Sequence, residues 1–118
     1  MSEYTTKDSG KRYTEESGFQ RDTQENKPRF GLLMAKGIPY KEQLLTRWAE
    51  LMARGAKKYN ERNWEKANSQ EALDRAKESL LRHAIQACND EQDEDHLASV
   101  CFNANFIATL QYKLKHEK

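Results

Sequence analysis

The sequence predicts an all-α protein: a small bundle of three principal helices plus short turns, preceded by a disordered or extended N-terminal arm. Three observations carry this. From Phe30 onward apolar residues recur at helical spacing. No segment keeps the strict apolar–polar alternation of a half-buried strand. Residues 1–29 contain no Leu, Ile or Val, and their large aromatic side chains are Tyr4, Tyr13 and Phe19. So little apolar surface does not offset an ordering cost of about 1–2 kcal/mol per residue. A chain of 118 residues has room for one domain. The expected organisation is therefore a polar arm over 1–28 and a helical domain over 29–118.

The first helix is read from Leu44, Leu45, Trp48, Leu51 and Met52, one apolar stripe that follows Pro39 and is expected to stop at Gly55. Residues 56–64, rich in cations, amides and aromatics, are expected as a short helical turn and a loop. The second helix is expected to start at Asn68 or Ser69, where Asn68 and Glu71 have capping-box spacing. Its stripe is read as Leu73, Ala76, Leu80, Ala84 and Cys88, widened by Leu81 and Ile85. A third helix from about Asp93 to Leu114 places Leu97, Val100, Cys101, Ala104 and Ala108 in register. Phe102 and Phe106 are expected on different sides of it. A body of about 90 residues encloses a modest core, so self-association to a dimer or higher oligomer is expected.

The formal net charge of +1 comes from 20 basic and 19 acidic residues, and the arm is itself balanced. That argues against steering toward duplex nucleic acid. No apolar run approaches the roughly 18 residues of a membrane span, and no signal peptide is read. Cys88 and Cys101 lack CxxC spacing and are read as reduced thiols, so a cytoplasmic protein is expected.

Asp93-Glu94-Asp95-His96 is the densest chemical constellation. At a helix start such acids cap the helix and complement its dipole, with Asp93 the expected cap. Hard oxygens beside a histidine also suit Mg²⁺ or Mn²⁺. Asn103, seven residues after His96, lies on the same face. His83 stands beside the second helix's stripe with Arg82 adjacent, where a guanidinium can pair with phosphate. Glu50 sits at the margin of the first stripe, and a solvated glutamate is the plain alternative. Lys57 and Lys58 offset phosphate charge, Trp64 offers a stacking surface, and Asn63 an amide for a base edge.

Lys27-Pro28-Arg29-Phe30, Ala49-Glu50-Leu51, Arg54 to Tyr59, Arg62-Asn63-Trp64-Glu65-Lys66, Leu81-Arg82-His83 and Asp93 to Ala98 with Asn103 together resemble a phage-associated family. It is the dATP/dGTP diphosphohydrolase-like family, related to MazZ and near the MazG-like all-α pyrophosphatases. Ser17-Gly18 and Arg21-Asp22-Thr23 fit its N-terminal pattern, and the resemblance covers about residues 17–110. It implies a (deoxy)nucleoside triphosphate pyrophosphohydrolase that releases the monophosphate and pyrophosphate, located in the host cytoplasm if phage-encoded. On that reading Mg²⁺ or Mn²⁺ is held by Asp93, Glu94 or Asp95 with Glu50 or Glu78 opposite. Glu50, His83, Asp95 and His96 are the expected catalytic groups. Lys57, Lys58, Asn63, Trp64, Arg82 and Asn103 are expected to bind a purine (deoxy)nucleotide. Asp95→Asn is expected to remove a charge the cation needs at little cost in stability. The competing expectation is a non-catalytic nucleotide-binding or signal-sequestering phage protein, for which the acids are dispensable.

Overall fold

The computed structural model describes residues 4–23 and 26–116. Glu3 and Glu25, counted in the arm's charge balance, lie outside the described residues, as do residues 117 and 118. The described chain divides into two compact units, Met1–Leu32 and Leu33–Lys118.

The first unit corrects the expectation of an arm without strands. Strands β1 (Arg12–Thr14) and β2 (Gln20–Asp22) pair antiparallel, with Arg12 opposite Asp22 and Thr14 opposite Gln20. Gly18, at φ 92°, takes the left-handed turn position, and its N–H donates to the Glu15 carbonyl. Arg12 joins the ends by pairing with both Asp8 and Asp22 at 2.8 Å. Local turn chemistry and this charge cluster make the hairpin, with no apolar core required. That is why apolar patterning misses it.

The second unit is the predicted three-helix body: α1 (Leu44–Tyr59), α2 (Gln70–Cys88) and α3 (His96–His116). Short 3-10 turns cover Phe30–Leu33, Tyr40–Glu42 and Asn63–Lys66. Helix α1 runs through Gly55 for another turn and ends at Asn60, whose φ is 81°. A glycine inside a helix costs only about 1 kcal/mol, and here it does not stop one. The cap of α2 is Ser69, whose hydroxyl accepts from the Ala72 N–H at 3.1 Å, so Asn68 and Glu71 do not form the expected box. The cap of α3 is Asp95, not Asp93. Asp95 Oδ1 accepts from the Ala98 N–H three residues on.

Helices α2 and α3 form an antiparallel pair, and the seam between them differs from the predicted stripes. On α2 the inward positions are Leu73, Ala76, Leu80 and His83. Their alternating spacing of three and four keeps one narrow line facing a partner helix. Continued steps of four, as predicted through Ala84 to Cys88, drift off that line. Cys88 is exposed, and Leu81 and Ile85 are 56% and 62% exposed. On α3 the seam is His96, Ser99, Asn103, Phe106 and Leu110, while Leu97, Ala104 and Ala108 face solvent. The apolar core gathers at one end around Leu73, Ala76 and Leu110, with Phe106, Ile107 and Leu114 packed on it. The other end of the seam is polar and buried. Among the described residues no helix is long and apolar enough to cross a membrane.

Candidate functional site

A cavity of about 790 Å³ opens beside the polar end of the seam. Its volume is in the range of small-molecule sites. One wall is aromatic. Trp64 stands edge-on to Phe102 and Phe106 at centroid distances of 6.2 and 6.0 Å, and the two phenyl rings stack at 5.4 Å. Phe102 and Phe106 therefore share one face of α3, as their i,i+4 spacing dictates, and not the different sides expected. Lys113 pins the turn that carries Trp64 by donating from Nζ to the carbonyls of Glu65 and Ala67.

The polar part of the lining comes from the seam: Ser79, His83, Ser99 and Asn103. Asn103 Nδ2 donates to Ser79 Oγ at 3.2 Å and to the Ser99 carbonyl at 2.9 Å. Its side-chain oxygen remains as the acceptor for a ligand. Asn60, Arg62 and Asn63 form part of the rim. Asn60 and Arg62 both have positive φ, 81° and 58°. Such backbone persists in non-glycine residues where the surroundings enforce it, and it clusters at ligand sites. Arg62 also pairs with Glu65 at 2.6 Å.

His83 belongs to a buried imidazole pair. His83 Nδ1 and His96 Nδ1 are 2.8 Å apart, with residue exposures of 8% and 3%. His96 Nε2 lies 2.7 Å from Asp93 Oδ1. Burial, reinforced by Arg82, pushes His83 below the ordinary histidine pKa. The hydrogen bond with His96 lowers the exposed Asp93 carboxyl.

Of the expected site residues, the structure thus brings together Asn63, Trp64, His83 and Asn103 on the cavity, with His96 and Asp93 joined to it through His83. Lys57, Lys58 and Arg82 are exposed and do not line it. Lys58 lies over the Tyr59 ring at 4.9 Å. Arg82 and Glu78 instead border a shallow groove with Glu71, Asp74 and Arg75. Ser79 and Ser99 escape the sequence reading because neither belongs to a charged or aromatic cluster, and Asn60 and Arg62, inside the segment rich in cations, amides and aromatics, are not among its expected site residues. The positive φ at 60 and 62 and the burial of Ser99 are visible only once the chain is folded.

The acids expected to share a cation do not form a common cradle. Glu50, Glu78 and Glu94 are exposed on α1, on α2 and in the loop before α3. Asp95 is bound in a bidentate pair with Arg47, which holds its carboxyl below the usual range. Among the described residues, the group with metal-like spacing is Glu91, Asp93 and His96, whose donor atoms lie within 4.8 Å of one another. In that group His96 Nε2 lies 2.7 Å from Asp93 Oδ1.

A family model described as dATP/dGTP diphosphohydrolase, N-terminal, matches residues 16–118. No curated protein matches the chain. No solved structure matches it. The matched span takes in the whole helical body, the lining of the cavity and both histidines of the buried pair. The chain belongs to the dATP/dGTP diphosphohydrolase family through that family's N-terminal domain.

Proposed function

We propose that the chain is a nucleoside triphosphate diphosphohydrolase that converts a purine deoxynucleoside triphosphate into the monophosphate and pyrophosphate. The observation that carries this reading is the cavity itself, whose lining combines an aromatic cluster with seam polar groups. Such a mixture suits a base and sugar, with stacking area on one side and hydrogen-bond partners on the other. The family's name supplies the substrate class and the reaction.

In this reading the base lies against Trp64 and Phe102, and Asn63 and Asn103 address its polar edge or the sugar. Arg62, a guanidinium on the rim, takes the phosphate-pairing role first expected of Lys57, Lys58 and Arg82. The divalent ion, Mg²⁺ or Mn²⁺, enters as the counter-ion of the triphosphate, where it would neutralise charge on the leaving group. His83 is the histidine of the cavity lining, which also includes Tyr59 and Glu61, and is the candidate to handle a proton.

The test is a panel of ribo- and deoxynucleoside triphosphates with Mg²⁺ or Mn²⁺, scored for pyrophosphate release and for thermal shift. Release of pyrophosphate and monophosphate from dATP or dGTP is expected. Tight nucleotide binding in EDTA with no product under either metal would replace the hydrolase by a sequestering protein.

A further inference from the structure

The two buried imidazoles face each other through the same atom, Nδ1 to Nδ1, at 2.8 Å. Two N–H groups repel at that distance, as do two lone pairs. One ring must donate and the other accept. Asp93 decides which. Its carboxylate only accepts, so at 2.7 Å the hydrogen lies on His96 Nε2. With both rings neutral, His96 then offers a lone pair at Nδ1, and His83 must carry its hydrogen on Nδ1. That leaves His83 Nε2 as a lone pair in the wall of the cavity. The Asp93–His96–His83 chain runs from an exposed carboxylate, 63% accessible, through a nearly buried ring to the cavity.

We infer that His83 is the cavity's proton acceptor, and that His96 and Asp93 are positioning residues that fix its tautomer and hold the positive charge while the proton is in transit. This rests on the hydrolase reading, since it names the group that would activate the attacking water. The protons balance. As the water oxygen bonds to phosphorus and the bond to pyrophosphate breaks, the water's O–H breaks and an N–H forms at His83 Nε2. The hydrogen on His83 Nδ1 passes along the 2.8 Å contact to His96 Nδ1. The positive charge comes to rest on His96, beside the Asp93 carboxylate. His83 Nε2 then gives its proton to the departing pyrophosphate oxygen, the Nδ1 hydrogen returns from His96 to His83, and the original tautomers are restored.

The charges around His83 suit this transfer. Arg82 on its own helix and burial disfavour a charge on His83, while Asp93 and Glu94 from the loop before α3 favour one. Moving the charge to His96 sets it in direct contact with Asp93. A buried histidine pair serving packing alone needs no carboxylate at its far end.

The tautomers can be read in the full chain without any turnover. Long-range ¹H–¹⁵N correlation spectra of the ¹⁵N-labelled protein at neutral pH should show His83 protonated on Nδ1 and His96 on Nε2. His83 protonated on Nε2 would overturn the inference. So would stoichiometric Zn²⁺ binding that moves the His96 Nε2 resonance, because it would make that nitrogen a metal ligand.

Kinetics supply the second arm. Asp93→Asn keeps an acceptor for His96 but loses the charge that stabilises its imidazolium. The expected result is a fall in kcat of about 10- to 100-fold with KM little changed. The acid limb of the rate profile should move to lower pH, because the protonated pair has lost its counter-charge, and Asp93→Glu should restore both. Unchanged kcat and an unmoved limb would sink the relay. Turnover with the wrong tautomer removes the relay alone. No turnover of any triphosphate by the wild-type chain removes the hydrolase reading, and the catalytic use of the relay with it.

Discussion

Arg47, on α1, grips Asp95, the residue that caps α3, through two hydrogen bonds: Nε to Oδ2 at 2.8 Å and Nη2 to Oδ1 at 2.7 Å. The same Oδ1 accepts from the Ala98 N–H. One carboxylate therefore closes a helix end and ties two helices together across 48 residues of sequence. This account replaces the expectation that Asp95→Asn is nearly free of structural cost. The substitution should destabilise the protein by about 2 kcal/mol, through the lost charge-assisted pair and the weakened cap. Urea denaturation of the variant at neutral pH measures it.

The Asp95 pair also sets a pH dependence. Its hydrogen bonds with Arg47 depress the folded-state pKa, so the unfolded chain takes up the proton more readily. The pair's contribution is fully present above the unfolded carboxyl pKa of about 3.9 and is lost as pH falls through the lower folded value. Wild type should lose more stability than Asp95→Asn between pH 5 and pH 2. Parallel stability curves over that window would remove the pair as a contributor.

Arg62 and Lys57 separate the structural reading from the sequence reading of phosphate recognition. Arg62 borders the cavity and Lys57 does not. Arg62→Asn retains a residue that tolerates positive φ, so its effect reports on the guanidinium. It should weaken dATP or dGTP binding about tenfold, matching the loss of one charge-assisted contact. Lys57→Ala should change affinity by less than about twofold, the effect of an exposed charge at a distance. Isothermal titration of both variants decides, and the reverse order would put the phosphates on the α1 lysines.

Trp64 and Trp48 should behave in opposite ways. Trp64 forms a wall of the cavity against Phe102 and Phe106, and Trp64→Ala should cost about 3 kcal/mol of stability and most of the nucleotide affinity. Trp48 carries a buried indole N–H with no hydrogen-bond partner among the described residues. Trp48→Phe removes that orphan donor, so its stability should stay within about 1 kcal/mol of wild type. Thermal and urea unfolding compare the pair. A large loss for Trp48→Phe would show that the indole packs better than its lone N–H implies.

The sequence by itself determined the three helices and the family. These follow from local spacing and from an ordered set of short motifs. It also marked His83, His96 and Asn103 as polar residues beside an apolar stripe. Only the tertiary structure decided that these three are the seam. Ala84, Val100 and Ala104 are the more apolar neighbours, so periodicity alone favours turning them inward. Pairing α2 with α3 instead buries imidazoles and an amide, because each finds a partner across or along the helices and the cost of desolvation is met by hydrogen bonds. The fate of the acids was likewise tertiary. Asp93 and Asp95 are two residues apart, yet one bonds a histidine and the other an arginine on a different helix. No spacing rule separates those roles, since the partners are fixed by where α1 crosses the start of α3.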